Sequence, residues 1–343
     1  MKMKKYFSVD LFSGVGGLTE GMHQAGFETK VAIEIESDAV LAYKMNHKKT
    51  EVIQKDIRFV TAKEIIEKLK GQQLHLLAGC PPCQGFSSIR RLNKKASIRD
   101  SRNRLVLEYL RLVKGLKPLT IMMENVPGLK DYFLFIKVVK ELYKLGYNPQ
   151  VAIVNVKEYG VPQRRKRLVM VGSLLGDLQI EKSINERSTV RKAIGDLTPV
   201  EKTNDSVHKI VAVHTSKIME RIKLTPKDGG SWKDLPKKYK LECHKKDNVG
   251  FNDIYGRLRW DDYSTTITGG CLNPSKGRFL HPKENRCISA REAALLQSFP
   301  IDYKFPTNIT KTSLALLIGN ALPPKFSYYQ SKNIYNHLKK YLD

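Results

Sequence analysis

The stretch Asp10-Leu11-Phe12-Ser13-Gly14-Val15-Gly16-Gly17 ends the apolar run Tyr6–Leu11 and leads into the helical pattern Leu18–Ala25. A strand that passes through a glycine-rich turn into a helix is the opening βα unit of many α/β folds. Glycines let a ligand approach the backbone closely, and the free N–H groups at a helix start suit polar or anionic atoms. The stretch therefore predicts the first strand of a parallel sheet and a ligand-binding turn, although a merely tight βα turn is an alternative interpretation.

The same strand-and-helix alternation continues through the first half of the chain. Two further pairs are Thr29–Ile35 with Asp38–Asn46 and Glu51–Gln54 with 62–70. Alternation of this kind predicts an α/β protein with a parallel sheet. Four more runs have the length and apolar character of strands: Leu74–Ala78, Thr120–Met123, Val151–Val156 and Leu168–Gly172.

Helix boundaries are predicted by capping residues. Thr61 with Glu64 has the spacing of a capping box, Ser37 is placed to cap the second helix, and Gly26 can end the first. These positions agree with the apolar periodicity, which supports the helical segments.

The alternation ends near residue 174, where the sequence becomes polar and rich in loops. Pro226-Lys227-Asp228-Gly229-Gly230 lies in this part and is followed by many lysines, and helical patterns return at Ser289–Ser298, Leu314–Ile318 and 330–341. We therefore predict a catalytic and cofactor-binding domain over residues 1–180, completed by 305–343. A second, irregular domain is predicted over residues 181–304.

Composition indicates a polyanionic partner. The 343 residues include 60 Lys and Arg against 34 Asp and Glu, which gives a net charge of +26 and a pI near 9.8. Nucleic acid and anionic lipid both fit this charge. No stretch approaches the ~18 apolar residues that a membrane span needs, and the apolar run after Lys5 is interrupted at Asp10, unlike a secretory signal. Five scattered cysteines fit a reduced cytosol without disulfides.

Acidic residues follow the second and third strands. Glu34 stands at the end of the second strand, where a carboxylate can accept both hydroxyl groups of a ribose, and Asp56-Ile57 follows the third. The glycine turn lacks the Lys-Ser/Thr of a P-loop, which favours a nucleoside without a triphosphate. S-adenosylmethionine is one such ligand.

A cysteine follows the next strand in a proline-stiffened turn, Cys80-Pro81-Pro82-Cys83-Gln84-Gly85-Phe86-Ser87. Cys83 can be a structural thiol, half of a redox pair with Cys80, a zinc ligand or a nucleophile. Prolines between the cysteines disfavour the redox pair, and only the isolated Cys243-His244 pair offers further zinc ligands, so no metal site is predicted. Glu124-Asn125-Val126-Pro127 repeats the layout after another strand and supplies the acid that a nucleophile needs.

Two basic segments lie between these elements. Residues 90–104 form a long cationic stretch that starts beside Cys83, and Gln163-Arg164-Arg165-Lys166-Arg167 lies between two predicted strands. Solvated loops are the bland interpretation of both. The functional interpretations are that the first segment closes over a phosphate backbone and that the arginines of the second segment pair with carboxylates or phosphates.

Taken in order, six segments resemble the C5-cytosine DNA methyltransferase family over nearly the whole chain. Asp10–Gly17 resembles the first motif, Gly79–Ser87 the nucleophile motif and Glu124–Val126 the third catalytic element. The other matches are Gln163–Arg167, Arg286–Glu292 with Gln297–Pro300, and Gly319–Pro324. The resemblance implies a Rossmann-like class I methyltransferase sheet with helices on both faces, and a smaller irregular target-recognition domain.

By this resemblance Cys83 attacks C6 of a cytosine, Glu124 contacts N3 and the exocyclic amine, and Arg165 supports O2. A thiolate at C6 makes C5 nucleophilic enough to take a methyl group, and the base must leave the duplex to be reached. The implied contacts of S-adenosylmethionine are Phe12, Gly14, Gly16, Gly17, Glu34, Ile35, Asp56, Ile57 and Asn320. Ile35 departs from the family, which often has an aromatic residue there, so the adenine would pack on an aliphatic side chain.

The resemblance also implies a DNA-binding surface. Its candidate residues are Gln84, Ser87, Arg90, Arg91, Arg99, Arg102, Asn125, Gln163, Arg167, Lys237, Lys238, Arg257 and Arg259. The implied protein is a prokaryotic, cytoplasmic and nucleoid-associated monomer that modifies double-stranded DNA, in a restriction-modification system whose endonuclease is encoded separately. A tRNA cytosine methyltransferase and a DNA-binding regulator without turnover are the alternatives; Gly85 in the nucleophile motif favours DNA over tRNA.

Overall fold

A computed structural model describes residues 5–82, 101–242 and 253–343. The chain divides into two compact units. The first comprises Met1–Tyr159, Lys166–Ile184 and Leu322–Asp343, and the second comprises Gly160–Arg165 and Asn185–Ala321. Cys83, Gln84, Ser87, Arg90, Arg91 and Arg99 lie outside the described residues.

The first unit is built on a seven-stranded mixed sheet of order β3-β2-β1-β4-β5-β7-β6. β1 to β5 pair in parallel, and β7 is antiparallel to both of its neighbours. The α/β class is confirmed. The strands are β1 Tyr6–Leu11, β2 Phe27–Glu34, β3 Glu51–Gln54, β4 Leu76–Gly79, β5 Thr120–Asn125, β6 Gln150–Asn155 and β7 Lys166–Ser173.

Helices lie on both faces of this sheet because the strand order reverses direction at β1. Right-handed crossovers place the helices of β1-β2-β3 on one face and those that lead to β4 and β5 on the other. The described helices are α1 Gly17–Ala25, α2 Ser37–Asn46, α3 Ala62–Leu69, α4 Leu105–Leu116, α5 Phe133–Lys144, α6 Val190–Ile194, α7 Ser216–Leu224, α8 Ala290–Leu296, α9 Lys311–Asn320 and α10 Pro324–Leu342. α3 packs on α4, and the C-terminal α10 packs on α1.

Two of the three capping predictions are confirmed. The Thr61 hydroxyl accepts a hydrogen bond from Glu64 N at 3.1 Å, and Gly26 ends α1 with φ 109°. Ser37 was wrong as a cap: it is the first residue of α2, Glu36 precedes the helix, and no side chain caps it. β1 is buried on both faces of the sheet, with Tyr6, Val9 and Leu11 fully buried.

The second unit contains short helices joined by irregular chain. Hydrogen bonds between side chains connect its segments. Arg286 donates two hydrogen bonds of 2.7 Å to the Glu292 carboxylate. Glu292 also forms a capping box with Ser289 at the start of α8. The chain changes unit after Ala321 rather than at residue 304, because α9 packs on α8 and Gly319 lies against the main chain of Thr268. None of the helices within residues 5–82, 101–242 and 253–343 has the hydrophobic length to cross a bilayer.

Candidate active site

The glycine turn after β1 forms one side of the candidate site at the carboxyl edge of the sheet. Phe12, Gly14 and Gly16 have φ values of 61°, 55° and 94°, in the region that favours glycine. The Gly14 N–H donates to Glu34 Oε2 at 2.8 Å, which ties the turn to the end of β2. Gly17 is the first residue of α1, so the turn opens directly on a helix N-terminus.

Glu34 is held by main-chain donors. Besides Gly14, the N–H groups of Ile35 and Glu36 donate to its Oε1 at 2.8 and 2.9 Å. The carboxylate is therefore fixed at the strand end where it was predicted, and Ile35 beside it is 53 % exposed. An exposed aliphatic side chain beside a fixed carboxylate fits a nucleoside, with its base on the first and its ribose on the second.

Asp56 and Ile57, the two cofactor contacts predicted after β3, differ in the surroundings of their side chains. The Asp56 side chain accepts from Arg58 N and Nε at 3.0 Å each and caps a short 3-10 helix. This contact with Arg58 lowers the pKa of Asp56. The Ile57 side chain belongs to the hydrophobic core, so it is not open to a ligand.

Asp10 lies buried beneath the glycine turn. Thr19 Oγ1 donates to Asp10 Oδ2 at 2.6 Å and lies 2.8 Å from the Tyr43 hydroxyl. Asp10 Oδ1 is buried and has no hydrogen-bond partner among the described residues. Burial, with a smaller effect of the nearby Glu34, raises the pKa of Asp10 to about 7.

Glu124, the penultimate residue of β5, is a buried carboxylate with an arginine beside it. Arg167 Nε lies 2.7 Å from Glu124 Oε1. The strand register explains the pair: Glu124 is opposite Val169 in the antiparallel β5–β7 ladder, and Arg167 lies two residues before Val169 on the same face. Diagonal neighbours of this kind are within reach of long side chains. Arg167, predicted as a DNA contact, is therefore placed at the candidate catalytic acid.

Asn125 connects the two strand ends that carry the candidate chemistry. Its Nδ2 donates to Pro81 O at 2.8 Å, and its Oδ1 accepts from Val126 N at 2.8 Å. Asn125 is buried, so it is not placed as a surface contact for DNA. Its position instead fixes the chain just before Cys83 to the chain just after Glu124.

Cys80 is the thiol of this edge that the structure describes. Its N–H donates to Leu11 O at 3.2 Å. Burial, followed by the neighbouring carboxyl groups of Glu124 and Asp10, raises the pKa of the Cys80 thiol well above its ordinary value. Cys80 therefore stays protonated near neutral pH and is a poor nucleophile.

Arg165 belongs to the second unit, where its Nη1 donates to Ile267 O at 2.9 Å and to Gly319 O at 3.1 Å. It precedes β7 and falls outside the β5–β7 ladder. The residue is buried, and its role at O2 of cytosine stays a prediction from the resemblance.

Gln163 and Arg257 were also predicted as DNA contacts, and both are wholly buried in the second unit. Gln163 Nε2 donates to Gln297 Oε1 at 2.7 Å, and its Oε1 accepts from Ile267 N at 2.9 Å. The Arg257 guanidinium donates to main-chain oxygens, among them Thr225 O at 2.9 Å, and its burial lowers its pKa to about 10. Both side chains use their donors to satisfy buried carbonyl groups and are structural.

The remaining predicted residues are exposed. Arg102, Lys237, Lys238 and Arg259 present their side chains to solvent, as phosphate contacts require. Arg259 lines a surface groove of the second unit together with Arg164 and Arg278. Asn320 is the exposed last residue of α9 in the second unit, whereas the other predicted cofactor residues belong to the first. No group of three or more metal-ligating side chains is found among the residues that the structure describes.

Comparison with known proteins agrees with this arrangement. Residues 6–336 match the model of the C-5 cytosine-specific DNA methylase family. The chain belongs to this family. The Type II methylase M.HgiDII of Herpetosiphon aurantiacus is 34 % identical over 96 % of this chain and 95 % of its own length. The Type II methyltransferase M.Sau96I of Staphylococcus aureus is 31 % identical over 99 % of this chain and 78 % of its own length.

Solved structures confirm the fold of this family member. A Spodoptera frugiperda DNMT2 mutant superposes with a TM-score of 0.67 at 17 % identity, over 96 % of this chain and 99 % of that one. The family and fold are those of enzymes that use S-adenosylmethionine. Three features of the site fit S-adenosylmethionine: the positive φ values of the turn, the fixed Glu34 carboxylate and the exposed Ile35.

Proposed function

We propose that this chain transfers a methyl group from S-adenosylmethionine to C5 of a cytosine in double-stranded DNA, through a bond between Cys83 and C6. One observation carries the proposal. The carboxylate of Glu124 is paired with Arg167 at the end of β5, and Asn125 next to it binds Pro81, two residues before Cys83. Asn125, the neighbour of the acid, is thus joined by a direct hydrogen bond to the segment that leads to the nucleophile.

The chemistry of cytosine explains why this chain has both an acid and a thiol. C5 is a weak nucleophile in the aromatic ring, and addition of the Cys83 thiolate at C6 makes C5 electron-rich. Glu124 enters this step as the carboxylic acid and gives its proton to N3, which neutralises the charge that the addition creates. Loss of the C5 proton after methyl transfer then expels Cys83 and restores the ring. The base must swing out of the duplex to meet these groups.

Arg167 has two roles in this account. Its guanidinium keeps the Glu124 side chain in one orientation. Its Nη1 donates to Lys166 O at 2.7 Å, so its Nη2 is the proposed donor for O2 of the base. We assign to Arg167 the contact that the sequence assigned to Arg165, because the Arg165 guanidinium is occupied by carbonyl groups.

When bound, S-adenosylmethionine supplies an electrophilic methyl group. Glu34 would hold its ribose, Ile35 would pack on its adenine, and the main chain at Asp56-Ile57 would receive the base edge. Phe12, Gly14, Gly16 and Gly17 would surround its methionine end. The contact of Asn320 with S-adenosylmethionine remains a proposal, because Asn320 belongs to the second unit and the other proposed contacts belong to the first.

DNA is the proposed substrate because the chain carries a net charge of +26 and belongs to a DNA methylase family. Arg102, Lys237, Lys238 and Arg259 are exposed and are the described candidates for phosphate contacts. We further propose a cytoplasmic, nucleoid-associated monomer in a prokaryotic restriction-modification system with a separate endonuclease. The Type II methylases that resemble it support this setting.

Sequencing of plasmid DNA from cells that express the chain, with detection of 5-methylcytosine, tests the proposal. We expect methylation at every copy of one short sequence and none in cells that express Cys83→Ala. Methylated tRNA with unmethylated plasmid would favour the tRNA alternative. Specific DNA binding without any methylation would favour a regulator.

A further inference from the structure

The two ends of the glycine turn are joined by a buried hydrogen bond. Asp10 is the penultimate residue of β1, and Thr19 lies in the first turn of α1. Thr19 Oγ1 donates to Asp10 Oδ2 at 2.6 Å, and both residues are wholly buried. This bond therefore closes the segment 11–18, which includes the turn residues proposed to contact S-adenosylmethionine.

Tyr43 of α2 extends this contact. Its hydroxyl oxygen lies 2.8 Å from Thr19 Oγ1. Because the hydroxyl proton of Thr19 goes to Asp10, Tyr43 is the donor in this second pair. Burial, followed by the Asp10 carboxyl group, raises the pKa of Tyr43 above its ordinary value, so the phenol keeps the proton that it donates. The hydrogen bonds thus run from Tyr43 through Thr19 to Asp10, and neighbouring bonds in such a chain strengthen one another.

The turn that this chain of hydrogen bonds closes contains a strained residue. Phe12 has φ 61°, a conformation that costs free energy for a bulky side chain and persists only where surrounding contacts impose it. The middle of the turn is held to β2, since Gly14 N donates to Glu34 Oε2 at 2.8 Å. The bond between Thr19 and Asp10 holds the ends of the turn.

We propose that Thr19 and Tyr43 are positioning residues that act through Asp10 to keep the glycine turn in the conformation that binds S-adenosylmethionine. The inference rests on the proposed function, which assigns that ligand to the turn. Neither side chain contacts the cofactor in this account, because both are wholly buried. Loss of either hydroxyl group should therefore weaken cofactor binding and leave the chemistry of methyl transfer unchanged.

Substitutions that remove single hydroxyl groups test this proposal by equilibrium binding. Thr19→Val keeps the shape of the side chain, Tyr43→Phe keeps the ring, and Thr19→Ser keeps a hydroxyl. The Kd of S-adenosylmethionine and of S-adenosylhomocysteine would be measured by isothermal titration calorimetry without DNA. We expect Kd to rise about tenfold for Thr19→Val and about threefold for Tyr43→Phe. Thr19→Ser should stay within about twofold of the wild type, because it still donates to Asp10.

Steady-state methylation should separate binding from chemistry. We expect KM for S-adenosylmethionine to rise with Kd, while kcat and KM for DNA stay within about twofold of the wild type. This pattern indicates loss of an interaction that is equal in the ground state and the transition state. In the Thr19→Val background, Tyr43→Phe should have almost no further effect on Kd, because the chain of hydrogen bonds is already broken.

Tyr147→Phe is the matched control. Tyr147 is a buried tyrosine of the same unit, and its hydroxyl donates to Pro118 O at 2.7 Å. Pro118 precedes β5, so this bond lies at the opposite edge of the sheet from the glycine turn. We expect Tyr147→Phe to lower the midpoint of thermal unfolding and to bind S-adenosylmethionine with the wild-type Kd.

Several results would overturn the proposal. One is a wild-type Kd for Tyr43→Phe, which decides the matter even if Thr19→Val does not fold. Others are a loss of affinity that Thr19→Ser does not restore, additive effects of Thr19→Val and Tyr43→Phe, or an equal loss in Tyr147→Phe, since these indicate a general structural role.

Failure of this inference can be separated from failure of the proposed function. If the wild-type chain binds no S-adenosylmethionine and methylates no cytosine, the proposed function fails. If it does both, and the Thr19 and Tyr43 variants bind the cofactor as well as the wild type does, only the roles of these two residues are wrong.

Discussion

Arg167 Nε lies 2.7 Å from Glu124 Oε1, across the antiparallel pair of β7 and β5. The strand register produces this contact, so the arginine and the carboxylate are placed by the sheet rather than by a loop. A site built on strands holds its groups with little freedom, which is what proton transfer and charge stabilisation need.

Removal of Arg167 should impair turnover. Arg167→Ala leaves Glu124 without its charged partner and removes the proposed donor to O2, so we expect kcat to fall by about 100-fold or more. DNA affinity should change far less. Steady-state methylation of the mapped DNA sequence measures this. Lys166→Ala is the control, because Lys166 is exposed and its side chain points to the other face of β7; equal losses for the two variants would contradict the assignment.

Asn125 should matter for both stability and catalysis. Asn125→Ala removes the bond to Pro81 O and leaves a buried carbonyl without its donor, which costs about 1–3 kcal/mol. We expect a lower midpoint of thermal unfolding together with a lower kcat. An unchanged kcat would show that the tie between the two strand ends does not position the nucleophile segment.

Asp10 should make stability depend on pH. Burial raises its pKa in the folded chain to about 7, whereas an aspartate in an unfolded chain ionises near ~4. Between these values the folded state binds more protons, so the contribution of Asp10 to stability falls as pH rises from about 4 to about 7. Asp10→Asn does not ionise, and its unfolding temperature relative to the wild type should therefore increase with pH over this range.

Thermal unfolding at several pH values measures that difference. Asp302→Asn, a change at an exposed aspartate of the second unit, serves as the control and should show no such trend. An unfolding temperature of Asp10→Asn that stays constant relative to the wild type, or that falls relative to it as pH rises, would contradict the buried-acid interpretation.

Gly319→Ala should destabilise the second unit. A Cβ at this position would lie 2.1 Å from Thr268 C and 2.3 Å from Gly269 N, and main-chain atoms cannot move aside cheaply. We expect a clear loss in the unfolding temperature, on the scale of about 1–3 kcal/mol for overpacking. Thr312→Ala, an exposed change in the same helix, should be close to neutral. Similar stabilities for the two variants would refute the close approach of α9 to Thr268.

Much of the first unit follows from its sequence, because local signals and the fold agree there. The strand ends at Glu34, Asp56 and Glu124 carry polar residues where apolar runs stop, and parallel strands bring such ends to one edge. The pairing of Arg167 with Glu124 was missed, although alternation along β7 combined with an antiparallel register would have indicated it.

Burial was the main source of error in the second unit. Gln163 and Arg257 were interpreted as DNA contacts because polar and basic residues are usually exposed, yet both satisfy carbonyl groups in the interior. Arg165, for which the resemblance implies a contact with the base, likewise binds carbonyl groups in the second unit. Without a regular sheet, no periodicity in the sequence distinguishes an arginine that binds carbonyl groups from one that binds phosphate.

The most direct test of the central claim is to trap the bond between Cys83 and the base. Duplex DNA that carries 5-fluorocytosine at the mapped position can accept the methyl group but has no C5 proton to lose, so Cys83 cannot be expelled. We expect a denaturation-resistant complex of protein and DNA that depends on S-adenosylmethionine, with the modified peptide containing Cys83. No such complex from a chain that methylates ordinary DNA, or an adduct on Cys80, would contradict the account.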